Sequence, residues 1–156
     1  MPKQSAGILL HRMRDGVVEV LLVHPGGPFW ARRDAGAWSI PKGEYTGGEA
    51  PLDAAVREFR EETGAEVDPA LAVPLGSVTQ RGGKVVTAWA VAGDFDVAEL
   101  VSNLVEVEWP RGSGAVRSFP EVDRAEWCGP DEARRKLLAA QAEFVDRLME
   151  ILRTES

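Results

Sequence analysis

The chain is 156 residues long, 44% apolar and 28% charged, with a net charge of −7 at neutral pH that both halves share. That length predicts a single domain over residues 1–156, able to bury about 70% of the surface its unfolded form exposes. The acidic balance argues against non-specific binding to nucleic acid or to an anionic membrane. Cys128 is the only cysteine, which excludes an intramolecular disulfide and a cysteine-rich zinc site. The opening MPKQSAGILLHRMRDG lacks the pattern of a signal peptide. No run approaches the roughly 18 apolar residues of a membrane span, so the expected location is the cytoplasm.

Taken in chain order, Ala6–Leu10 reads as a strand, Arg14-Asp15-Gly16 as a turn and Val17–Val23 as the hairpin partner. His24-Pro25-Gly26-Gly27-Pro28 then breaks regular structure and opens a long loop carrying Phe29, Trp30, Arg32 and Arg33. A loop of that length with aromatic and basic side chains is more often functional than idle. Residues 50–63 switch to helical period: Pro51 suits a first helical position, Leu52, Ala55, Val56 and Phe59 share one face, and Gly64 is placed as a cap. Leu75–Val78, Val85–Val91, Leu104–Trp109 and Ala125–Cys128 read as further strands. Pro130-Asp131 starts a helix that Ala133, Leu137, Phe144, Val145, Leu148 and Leu152 extend as one long amphipathic element. The expected architecture is α/β, with two helices against a mixed central sheet.

The stretch Gly43–Ala65, GEYTGGEAPLDAAVREFREETGA, carries the chemistry. At about 100° per residue, with Leu52 set to zero, Glu61, Glu58 and Glu62 fall on one flank roughly 100° wide, opposite the apolar face. Like charges at that spacing destabilise an isolated helix by a few tenths of a kcal/mol per pair, and Arg57 offsets only one pair. Such a set of oxygen donors suits a hard divalent cation, Mg²⁺ or Mn²⁺, with positions left for substrate phosphates. A solvated acidic helix face is the alternative reading of the glutamates alone.

The same stretch resembles the Nudix box, G-x5-E-x7-R-E-U-x-E-E-x-G-U with U a bulky apolar residue. Gly43, Glu49, Arg57, Glu58, Phe59, Glu61, Glu62 and Gly64 all fall in place, and Ala65 is smaller than the usual final residue. Trp38-Ser39-Ile40-Pro41-Lys42 is similar to the run that commonly enters the box. The resemblance implies an α/β/α sandwich and a phosphoanhydride hydrolase of nucleoside diphosphates linked to another group. It implies that Glu58, Glu61 and Glu62 bind metal, joined by the backbone carbonyl of Lys42, with Arg57 orienting the carboxylates and Glu49 supporting the loop–helix junction. Some relatives add a later glutamate six residues before a tryptophan; Glu121 stands in that relation to Trp127, ahead of Glu106 and Glu108 as candidates. Glu58 is the first choice of general base and Glu121 the second.

Among loop residues, Arg32, Arg33 and Lys42 are candidates to hold substrate phosphates, and Trp30 to stack on a base. Trp38 reads as structural, and His11 and His24 as ordinary strand-end residues. The local resemblance favours nucleoside or dinucleoside polyphosphates as substrates, with ADP-ribose and nucleotide sugars behind them. Relatives that form dimers make a homodimer an option. The alternative function is a catalytically silent Nudix-fold module that senses a nucleotide.

Overall fold

The computed structural model describes residues 3–155. Strands β1 (Gln4–Arg14) and β2 (Val17–Pro25) form an antiparallel hairpin closed by the pair Arg14 and Val17. Asp15 and Gly16 both have positive φ, 50° and 80°, as the two-residue turn that matches strand twist requires. β3 (Lys42–Glu44) pairs antiparallel with Ser5–Gly7 of β1, and β5 (Val85–Ala92) runs parallel along its other edge. β4 (Val73–Thr79) on β5 and β8 (Val122–Cys128) on β2 complete a mixed six-stranded sheet, β4-β5-β1-β2-β8.

Ala6–Leu10 of β1 and Val20–Val23 of β2 are continuously apolar and buried because both faces of the sheet are covered there. Ile8, Leu10, Leu21 and Val23 pack with Phe59 of α1 (Pro51–Thr63) on one face. Leu9, Val20 and Leu22 pack on the other with Phe144, Val145 and Leu148 of α3 (Ala142–Glu155) and Ala133 of α2 (Pro130–Lys136). This is the α/β/α sandwich that the sequence predicted. No helix among the described residues is long and apolar enough to cross a membrane.

Two elements differ from expectation. The predicted single C-terminal helix is two helices, which makes three in all. Leu137 and Leu138 are extended, with ψ of 150° and 134°. Leu137 bridges Trp38, and the Leu138 N–H donates to the Trp38 carbonyl at 2.9 Å. Leu137 is buried there as it would be on a helix face, so apolar spacing runs straight across the break. The segment read as Leu104–Trp109 does not join the central sheet. It forms β6 (Leu104–Glu108), which pairs only with an unexpected β7 (Val116–Pro120) in a separate hairpin. Val107 and Phe119 are the only residues of those two strands that are even half-buried.

Candidate active site

Helix α1 is the platform of the site. Pro51 occupies its first turn, and Gly64, at φ 84°, ends it by donating its N–H to the Arg60 carbonyl at 2.8 Å. Its buried side is not centred on Leu52, which is only half-buried; Ala54, Ala55, Glu58, Phe59, Glu62 and Thr63 are the buried residues. On the same wheel that arc is turned roughly 70° from Leu52, toward the carboxylates. Glu58 and Glu62 therefore lie not opposite the buried side but within it, each only 7% exposed.

The covering is supplied by β3. A Cβ on Gly43 would stand 2.0 Å from the Glu58 carboxyl carbon, so any other residue there must displace that carboxylate. The Lys42 N–H donates to Glu62 Oε1 at 3.2 Å. Glu121, between β7 and β8, comes from far along the chain. Its N–H donates to the Asn103 carbonyl at 2.7 Å and its carbonyl accepts from the Gly26 N–H at 2.9 Å. The result is a cluster in which Glu58, Glu62 and Glu121 each offer an oxygen within 4.8 Å of the others.

Burial raises the pKa of all three. Glu62 is pushed well above the usual carboxylate range, first by desolvation and then by the charge of Glu121. Desolvation, then Glu61, raises both Glu58 and Glu121. Arg57 answers only part of this charge. It grips Glu49 with Nε and Nη2, both at 2.9 Å, and turns Nη1 to Glu58 at 2.8 Å and Glu61 at 3.2 Å. The Lys42 ammonium is itself disfavoured, by burial and by Lys84. Ser5 Oγ is buried without a hydrogen-bond partner and lines the same cavity of about 410 Å³ as Glu58, Glu62 and Glu121. Buried and half-buried hard oxygen donors of one sign, a glycine whose methyl would displace one of them and an orphan hydroxyl together fit a hydrated divalent cation.

A family model described as NUDIX domain matches residues 1–148. The chain belongs to the Nudix family. Its fold is similar to that of the Caenorhabditis elegans Ap4A hydrolase in a binary complex, with a TM-score of 0.64 at 21% identity over 97% of this chain and 98% of that one. It is also similar to the NUDIX domain of Shewanella oneidensis NrtR complexed with ADP ribose, at 0.67 and 15% identity, covering 97% and 89%. The MutT protein from Methanosarcina mazei Go1 gives 0.60 at 19% identity, covering 97% and 96%.

The Nudix box residues are thus distributed unevenly. Glu58 and Glu62 face the cavity, while Glu61 lies outside the three-carboxylate cluster, its carboxylate turned to Arg57. Trp30 lines a second cavity of about 230 Å³ that also reaches Lys42, Glu62 and Glu121. Arg32 is exposed, and Arg33 spends its guanidinium on Phe29 and Trp30, 4.7 and 5.5 Å from their ring centres. His24 is more than a strand-end residue. It is fully buried, with Nδ1 2.8 Å from Asp123 Oδ1 and Nε2 2.6 Å from the Arg33 carbonyl. It thereby ties the long loop to β8. Ser5 and His24 carry no motif signal; only their neighbours in three dimensions give them meaning.

Proposed function

We propose that this Nudix-family chain is a Mg²⁺- or Mn²⁺-dependent, cytoplasmic pyrophosphohydrolase whose foremost substrates are nucleoside and dinucleoside polyphosphates. The observation that carries the reading is the Glu58–Glu62–Glu121 cluster, two-thirds of it buried and all of one charge. Glu58, Glu62 and Glu121 would hold the cation, with Glu61 and the Lys42 carbonyl as further donors at its edge. When bound, the cation neutralises phosphate oxygens and lowers the pKa of a water.

The remaining steps belong to side chains of this chain. Arg57 fixes the Glu58 carboxylate by sharing its fork between Glu49 and Glu58. Glu58, oriented by Arg57 Nη1, is the first choice to take the proton of the attacking water. Glu121 is the second candidate for the same step. Lys42, buried beside Glu62, meets the phosphate chain. The leaving group is a phosphate, so positioning and electrostatics suffice without a covalent intermediate.

A second reading rests on the Shewanella domain, whose structure holds ADP ribose: a nucleoside diphosphate linked to a sugar. Incubation with Mg²⁺ and diadenosine tetraphosphate, nucleoside triphosphates, ADP-ribose and nucleotide sugars separates the two. Products are identified by ion exchange and mass spectrometry, with Glu62→Gln as control. Cleavage of a polyphosphate, lost in the control, is the expected result. Tight binding without turnover across the panel points instead to a silent sensor.

A further inference from the structure

Beyond the cavity of about 230 Å³ beside Trp30, the acid cluster opens onto another of about 450 Å³. Its walls are the loop of residues 25–30 on one side and the β6–β7 hairpin on the other. Phe29, Trp30 and Trp109 line it, Val105 and Val107 continue the apolar surface, and Glu121 forms its inner end. Trp30 and Glu121 line both cavities, so the two meet at the carboxylate cluster.

The hairpin has little structural reason to be there. Leu104, Val105 and Val116 are exposed, and neither strand pairs with the central sheet. A two-stranded hairpin is marginal by itself. Its base is nevertheless anchored firmly to the site. The Asn103 N–H donates to the Glu61 carbonyl at 2.9 Å, and Gly26 lies so close to Pro120 that a Cβ would stand 1.9 Å from the Pro120 carbonyl oxygen. Both walls are thus held at a fixed position relative to Glu121.

The aromatic wall is also prepared. Phe29 is 51% exposed, yet its ring meets Trp30 edge-on at 5.3 Å, and Arg33 lies against both. Exposed aromatic rings held in place are suited to stacking on a flat ligand. Among the charged residues of this cavity, Glu108 is engaged by the Gly112 N–H at 2.7 Å, and Arg111 supplies a cation. The size falls within the usual range for small-molecule sites, roughly 300–1,000 Å³.

We propose that the cavity beside Trp30 takes one base and the cavity between residues 25–30 and the β6–β7 hairpin takes a second, with Trp109 as the specificity-determining residue of the latter. Substrates with an aromatic base at each end of the phosphate chain then engage both cavities, and the chain between them crosses Glu121. Dinucleoside polyphosphates have that form; nucleoside triphosphates, ADP-ribose and nucleotide sugars do not. The assignment rests on the phosphoanhydride-hydrolase reading only for which cluster the phosphates cross.

The test compares binding of diadenosine tetraphosphate and adenosine 5′-tetraphosphate, which share one nucleoside and a four-phosphate chain. Calorimetry with Ca²⁺ in place of Mg²⁺ scores binding apart from turnover, on the wild type, Trp109→Ala and Trp109→Phe. The wild type is expected to prefer the dinucleotide by about tenfold or more, the scale of one stacked base. Trp109→Ala should erase most of that preference and Trp109→Phe retain most of it. Equal affinities in the wild type, a preference indifferent to Trp109→Ala, or no binding of either compound overturns the subsite. A dinucleotide preference with no turnover in Mg²⁺ or Mn²⁺ sinks the polyphosphate-hydrolase reading and leaves the subsite standing.

Discussion

Two groups of charged side chains are partly or wholly withdrawn from water in this protein, and they are built on opposite plans. Around the buried Trp38, signs alternate. Its indole N–H donates to Asp34 at 2.7 Å, and Lys136 and Arg124 lie against its ring at 4.7 and 5.3 Å. Lys136 pairs with Glu126 at 2.9 Å, while His24 and Arg124 meet Asp123 at 2.8 and 3.7 Å. Every charge there has an answer within the chain. At the end of α1, Glu58, Glu62 and Glu121 repel one another, and Arg57 is already divided among Glu49, Glu58 and Glu61. Charge cancelled locally fixes a shape; here it pins the loop that carries Phe29 and Trp30. Charge left over destabilises the fold, and in the proposed reading a cation is its answer. Opposite responses to neutralising mutations are therefore expected from the two groups.

The largest contrast is expected at Glu62. Glu62→Gln removes a cluster oxygen and should lower kcat by at least about a hundredfold in steady-state assays. The metal-free variant should nonetheless melt higher than the wild type at pH 8, because a buried like charge is gone. A lower melting temperature would break the comparison. Gly43→Ala probes the same cluster by volume alone. Its methyl, 2.0 Å from the Glu58 carboxyl carbon, must displace that carboxylate, and a misplacement on that scale costs about tenfold to a hundredfold in turnover.

How much of this could be read in the sequence depends on whether a residue's role is local. The strands of the β1–β2 hairpin and the start and end of α1 are set by neighbours within about nine positions, and they were legible. The orientation of α1 was not. Leu52 looks like the centre of its apolar face, but the helix meets the sheet through small Ala54 and Ala55, which brings Glu58 and Glu62 inward. Glu121 could be nominated from its spacing to Trp127, yet its approach to α1 depends on the Asn103–Glu61 and Gly26–Glu121 backbone contacts. The break at Leu137 depends on a bridge to Trp38, a hundred residues earlier in the chain. β7 was missed because Val116–Pro120 has no buried face to imprint a pattern.

The balanced group should respond in stability and not in rate. Lys136→Met keeps the aliphatic stem against Trp38 but leaves Glu126 and Asp34 without their ammonium. Because both carboxylates are largely exposed, a loss of up to about 1 kcal/mol is expected in urea unfolding, with kcat unchanged. Equal losses of rate and stability would show that the Trp38 group belongs to the active site rather than to its frame.

The smallest effect, and the one that separates the two plans without a mutation in either, is the pH dependence of the metal-free fold. Glu62, Glu58 and Glu121 hold their protons more tightly folded than unfolded. Their contribution to stability is fully present below the unfolded carboxylate value of about 4.3 and is lost as pH rises through the raised folded values. In EDTA the melting temperature should therefore fall between pH 5 and pH 8, by about 2–4 °C for each kcal/mol lost in a chain of this size. Mg²⁺ should reverse that slope, because it binds the deprotonated carboxylates and its affinity grows as they ionise. In Glu62→Gln most of the slope in EDTA should vanish, and in Lys136→Met it should persist. A slope that survives Glu62→Gln intact would mean that the charge left over in this fold lies somewhere other than the end of α1.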